Sequence, residues 1–105
     1  MSEIAKTPAP PYYAVIFTSH RTEGDKGYAV MADKMVGLAA VQPGFLGIES
    51  AREDVGITVS YWTSMEAIKN WKQNAEHLAA QKMGHTHWYA DFRVRIGKVE
   101  TEYGF

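Results

Sequence analysis

The segment Tyr12–Ser19 constrains the fold most. It is rich in β-branched and aromatic residues and apolar at both parities: Tyr13, Val15 and Phe17 on one, Tyr12, Ala14 and Ile16 on the other. A strand of that kind has to be covered on both faces. His20 to Lys26 is polar and holds Gly24, so the strand should stop there.

From Asp25 to Val41 the period becomes helical. Tyr28, Met31, Met35, Leu38 and Gln42 form one stripe, widened by Ala32 and Ala39, while Asp33 and Lys34 point away. Gln42-Pro43-Gly44 ends this helix, because proline cannot extend the ladder and glycine accepts turn dihedrals. Gly37 costs about 1 kcal/mol inside a helix, and its expected use is close approach to a sheet. Phe45–Arg52 and Ile57–Trp62 read as strands joined by Glu53-Asp54-Val55-Gly56, with glycine where φ turns positive. In the second, Ile57, Val59 and Tyr61 share one face and Thr58, Ser60 and Trp62 the other. Thr63-Ser64-Met65-Glu66 reads as a capping box with Thr63 as the cap. The helix it opens turns Ala67, Ile68, Trp71 and Ala75 inward. A break at Asn74 is expected, then a second short helix from Ala75 to Met83, ended by Gly84. Trp88–Val99 is the last strand, with Trp88, Ala90, Phe92, Val94 and Ile96 on one parity.

The order β-α-β-β-α-β predicts an α+β fold, the ferredoxin-like split β-α-β sandwich. Both helices then lie on one face of a four-stranded antiparallel sheet, and the other face is left bare. An apolar face of that area needs a cover, and pairing with a second copy through the sheet is the simplest. A homodimer is therefore expected. Residues 1–11, with Pro8, Pro10 and Pro11, read as a flexible N-terminal arm, and residues 12–105 as a single domain. At the other end, Tyr103 and Phe105 are expected to act as aromatic anchors.

A chain of 105 residues suits one core. With 11 basic against 12 acidic residues, no basic excess favours nucleic acid, and no cysteine is present for a disulfide or thiolate site. No apolar run approaches the ~20 residues that cross a bilayer, so a cytoplasmic protein without a membrane partner is expected.

His77, His85 and His87 lack the company of acidic or further histidine ligands that a metal site requires, so no metal is expected. Neither a nucleotide-cradling glycine loop nor a Gly-x-Ser-x-Gly elbow occurs. What remains is a Trp/His cluster: Trp62, Trp71 and His77, with Met31 and Met35 on the first helix. Together these would frame an apolar pocket suited to a flat aromatic ligand.

Gln42-Pro43-Gly44-Phe45-Leu46-Gly47-Ile48-Glu49-Ser50, then Ile57 to Ala67 with Trp62-Thr63-Ser64-Met65-Glu66-Ala67 at the junction, then Trp71 and Glu76-His77, resemble the antibiotic biosynthesis monooxygenase (ABM) domain. The resemblance runs from Tyr12 to about Val99. It implies a dimeric α+β barrel with a pocket between helices and sheet, and a cofactor-independent oxygenation of a phenol or hydroquinone. It also admits a haem-binding or haem-degrading relative, and a non-enzymatic ligand-binding dimer. The tryptophan of the quinone-forming members falls at Trp62, their asparagine at Thr58 and their tyrosine at Ile68. The pocket tryptophan of haem-degrading members falls at Trp71, their ligating histidine at Gln81 and their strand asparagine near Phe17. The resulting expectation assigns His77, Trp62 and Trp71 to catalysis. His77 is the base, since a neutral imidazole with pKa ~6.5 accepts a phenolic proton at pH 7. Thr58, Ile68, Met31, Met35 and Gln81 are assigned to substrate contact, with no cofactor.

Overall fold

The computed structural model describes residues 3–25, 27–81 and 88–105. Its elements are β1 (Tyr12–Arg21), α1 (Tyr28–Ala40), β2 (Phe45–Arg52), β3 (Gly56–Trp62), α2 (Met65–Gln81) and β4 (Tyr89–Val99). The strands form one sheet in the order β2-β3-β1-β4, every neighbouring pair antiparallel. This is the split β-α-β sandwich that the alternation of periods implies.

Register decides which side chains share a face, because directly opposed residues in an antiparallel pair point the same way. Four rows cross the helix-facing side. They are Phe45–Trp62–Tyr13–Lys98, Ile48–Ser60–Val15–Ile96, Ser50–Thr58–Phe17–Val94 and Arg52–Gly56–Ser19–Phe92. The first two meet the helices in a core of Ala39, Trp62, Ala67 and Ile68, with Tyr13, Val15, Phe45 and Trp71 packed around it. Trp62 is fully buried, edge-on to Phe45 and stacked on Trp71 with centroids 5.9 Å apart. Of α1, Met31 and Ala39 are the buried residues, as the apolar stripe requires.

Several local expectations change. Ser64, not Thr63, caps α2: its Oγ accepts from the Ala67 amide at 3.0 Å, and the helix begins one residue later than the capping-box reading has it. Asn74 does not break α2, which is continuous to Gln81. Its Nδ2 donates to the Asn70 carbonyl at 3.0 Å and to Gln42 Oε1 at 3.3 Å, so the amide is used within and beside the helix. Gly84 and the neighbouring expected helix end lie outside the described residues. Gly37 is exposed and a Cβ there would meet nothing within 4 Å, so it approaches no sheet. Gly56 starts β3 without a positive φ; among the described glycines only Gly24, Gly27 and Gly44 have one. Tyr103 and Phe105 are fully exposed and anchor nothing.

The tail is held instead by Glu102, whose carboxylate accepts from the Tyr12 hydroxyl and lies 3.0 Å from Thr7 Oγ1. The N-terminal arm joins the same network. Ala5 N–H donates to Glu49 Oε1 at 2.8 Å, and Glu49 Oε2 accepts from the Tyr61 hydroxyl at 2.8 Å. The Ala5 side chain lies over Gly47, where a Cβ would stand 3.0 Å from it. Arm and tail thus cover one end of the outer face. Its remainder carries Ile16, Val59 and Ile57 beside Arg93 and Arg95, with His20 Nδ1 paired to Asp91 Oδ1 at 2.8 Å.

Candidate functional site in the helix-facing trough

The helix-facing surface divides into two parts. At the tryptophan end the space is filled. Trp62 Nε1 donates to Ser60 Oγ at 2.9 Å, so its N–H is committed inside the protein, and Ile68 is buried beside it. Trp71 is half-buried and stacks on Trp62. The expected cluster of Trp62 and Trp71 therefore exists as a stacked pair, but as core rather than as an open wall.

Over β4 the sheet is open. Phe92, Val94 and Ile96 share a face with Ser19, Phe17 and Val15, and are 42%, 45% and 44% exposed. Half-buried Thr58 lies opposite Phe17 on the same row. These residues make an exposed apolar strip on the helix-facing surface, with the Thr58 hydroxyl in the same row as Phe17. Its far end is aromatic: Phe17 meets Tyr89 edge-on at 5.1 Å and Phe92 at 5.4 Å, and Tyr89 meets Tyr28 of α1 at 5.7 Å. A register shift between His20 and Arg21 turns Tyr89 into this cluster, off the parity that the sequence pattern assigns it.

The polar atoms at that end are phenols and guanidiniums. Tyr89 OH donates to Tyr28 OH at 3.4 Å, and the Arg21 guanidinium lies 3.5 Å from the centroid of the Tyr28 ring. Arg21 Nε also donates to the Trp88 carbonyl at 2.8 Å. Burial, and then the bond to Tyr28, push the Tyr89 phenol well above its ordinary pKa, with Arg52 and Arg21 pulling against the rise. Tyr89 keeps its proton at neutral pH and acts as a hydrogen-bond donor.

The other expected site residues are scattered. Met31 is buried and Met35 half-buried under α1. His77 is exposed on α2, off the inward stripe of Ala67, Ile68, Trp71 and Ala75. The side chain of Gln81, and His85 and His87, lie outside the described residues. Among the described residues no three His, Asp or Glu side chains gather as metal ligands. A separate shallow depression of about 180 Å³ lies where Pro43 and Gly44 meet the start of α2, beside Ser64 and Asn70. The sequence reading missed Tyr28, Tyr89, Arg21 and Arg52 as site residues. The available signal was Phe17 and Tyr28, the aromatic residues on either side of the polar stretch 20–27; Tyr89, 61 positions from Tyr28, is not brought to them by strand parity alone.

The family model for the antibiotic biosynthesis monooxygenase domain matches residues 11–83. The chain belongs to the antibiotic biosynthesis monooxygenase family. It is 54% identical over 104 residues to the uncharacterized protein YqjZ of Bacillus subtilis (strain 168), covering 97% of this chain and 91% of that one. Among solved structures it resembles PA3566 from Pseudomonas aeruginosa, with a TM-score of 0.66 at 15% identity over 91% of this chain and 99% of that one. It also resembles SnoaB, a cofactor-independent oxygenase from Streptomyces nogalater, with a TM-score of 0.65 at 12% identity over 90% and 97%. At those identities the structural likeness establishes the fold.

Proposed function

We propose that this ABM-family chain is a cytoplasmic homodimer that oxygenates an electron-rich aromatic, a phenol or hydroquinone, in the trough between α1 and β4, without a cofactor. The observation that carries the reading is the accessible apolar surface of Phe92, Val94 and Ile96 on the side where the helices lie, with Phe17 and Thr58 on the same face. A flat ring is held there by area and by ring edges, with Thr58 as the hydroxyl that orients it.

In such chemistry the substrate is its own reductant. Loss of the phenolic proton gives an anion able to pass one electron to O2, and the radical pair combines to a carbon–oxygen bond. Elimination of water then leaves the para-quinone, so that phenol and O2 become quinone and H2O. The protein's tasks are to accept the proton, to exclude bulk water and to hold the ring. His77, an exposed imidazole on α2 outside the inward stripe, is the base in this reading only by way of water, which relays the phenolic proton to it. Trp62 supports the site only from within the core, stacked on Trp71 with its N–H engaged by Ser60, and touches no ligand.

The haem branch finds little support in these residues. Where haem-degrading relatives have a ligating histidine this chain has Gln81, and Phe17 fills the strand position with a ring already packed on Tyr89 and Phe92. A ligand-binding dimer without turnover is the second reading. It is favoured by Ile68, a buried side chain with no proton to give where quinone-forming relatives carry a tyrosine.

Pairing through the outer face is supported by its charge layout. Arg93 and Arg95 lie on one margin of Ile16 and Val59, and Glu49, which also holds Ala5 and Tyr61, on the other, so a two-fold axis along the strands brings opposite signs together. Sedimentation at micromolar concentration should give a two-chain particle; a single-chain particle overturns that part. Oxygen uptake over a panel of hydroquinones and catechols, with and without haemin, tests the activity. Uptake without haemin supports oxygenation. Binding without uptake leaves the ligand-binding reading, and neither one refutes the trough. A folded His77→Ala variant with unchanged turnover removes His77 from the mechanism.

A further inference from the structure

The row Arg52–Gly56–Ser19–Phe92 places a cation at the aromatic end of the trough by a specific device. Arg52 starts on edge strand β2, yet its guanidinium crosses β3 to β1. There Nη2 donates to Ser19 Oγ, and Nη1 to the Ser19 carbonyl at 3.4 Å. The crossing is allowed because residue 56 has no side chain: a Cβ there would overlap the guanidinium. Buried Ser19 lies opposite Phe92 and two residues beyond Phe17 on the same face, so the guanidinium ends beside the trough's rings.

Both partners of Arg52 are neutral, and the residue stays exposed. Among the described residues neither Arg52 nor Arg21 meets a carboxylate within ion-pair distance. The two tyrosines add a donor. A pair of phenols sharing one hydrogen bond has a second O–H to give, and Arg21 against the Tyr28 ring keeps the local field positive. Oriented cations on neutral acceptors, next to a phenolic O–H and an apolar slot, are the equipment for an anionic oxygen on a flat ring.

We propose that the Arg52 end of the trough is a carboxylate subsite, so that the preferred ligand is an aromatic acid, a phenol or hydroquinone bearing a ring carboxylate, rather than a neutral phenol. The proposal rests on the trough being the ligand site. It assigns Arg52 to specificity and Gly56 to the placement of Arg52.

Titration calorimetry of the full chain with hydroquinone and with 2,5-dihydroxybenzoate, which differ by the carboxylate, tests it. The wild type should bind the acid about tenfold or more tightly, as a charge-assisted contact provides, and added salt should shrink the preference. Arg52→Gln should abolish the preference, weakening the acid about tenfold more than hydroquinone. Gly56→Ala keeps the charge but displaces the guanidinium, and should do the same; Arg52→Lys should restore part of it. Equal wild-type affinity for the two ligands, or a preference that survives Arg52→Gln, overturns the subsite alone. Failure of both ligands to bind overturns the subsite together with the trough.

Discussion

Replacing Gly44 by alanine probes the junction where β2, β3 and α2 meet. Gly44 has φ 87°, in the left-handed region, where a side chain costs ~1–2 kcal/mol. A Cβ there would lie 2.6 Å from the Ala67 Cβ and 2.7 Å from Thr63 Oγ1. Ala67 is a core residue with no room to retreat, and the Thr63 amide, donating to the Gly44 carbonyl at 2.9 Å, keeps that backbone close to the site. Overpacking of that kind adds ~1–3 kcal/mol, for a total of ~2–5 kcal/mol. At ~4 °C per kcal/mol for a domain of this size, Gly44→Ala should melt ~8–20 °C lower, with an unchanged urea m-value. The double variant Gly44→Ala/Ala67→Gly separates the two causes. It removes the closer clash, and it should be less destabilised than the sum of its parts by ~0.5–3 kcal/mol. A melting shift under ~4 °C for Gly44→Ala, or strict additivity in the cycle, would refute the argument from backbone and space.

Gly37→Ala should raise stability by ~0.5–1 kcal/mol in urea melts, because the site is helical, exposed and empty around the missing Cβ; a loss of stability would reveal a contact at that position. Ser64→Ala should cost ~1 kcal/mol through loss of the cap to Ala67, and Thr63→Ala should lose no capping bond; equal losses of helicity on heating would move the cap back to Thr63. Burial and then the hydrogen bond to Glu49 push the Tyr61 phenol up to about 12. A raised phenol pKa stabilises the fold below pH ~10 and that stabilisation is lost as pH rises from ~10 through ~12, since the native state holds its proton longer than the unfolded chain. Two units correspond to ~2.7 kcal/mol, and solvent screening of a half-buried group reduces this to ~1 kcal/mol. Urea midpoints should therefore fall more steeply above pH 10 in the wild type than in Tyr61→Phe, and parallel curves would count against the assignment.

Hydrophobic period alone placed four strands and two helices, and from their order the sandwich follows, because a split β-α-β chain has few ways to bury two helical stripes on one sheet. The pairing of Thr58, Ser60 and Trp62 on the helix side was legible for the same reason: strand parity is a property of the chain itself. Local competition was less legible. Thr63 and Ser64 are both good caps, and the one that serves is set by where Gly44 docks. A break at Asn74 is a fair inference from propensity, but the amide is satisfied by Asn70 and Gln42 once the helices are side by side.

The candidate site shows the same division more sharply. The motif at Trp62 to Ala67 carried the family, yet the tryptophan it contains is spent on the core: its ring is enclosed by Phe45 and Trp71 and its N–H by Ser60. What lines the open space came from residues with no motif. Arg52 and Ser19 are 33 positions apart and meet only because a glycine lies between them in the sheet. Tyr28 and Tyr89, 61 apart, meet where a register shift turns one toward the other. Periodicity is written in neighbouring residues and survives as sequence. Register, a bulge and the space left by a missing side chain are relations between distant segments, and they exist only after the sheet has formed.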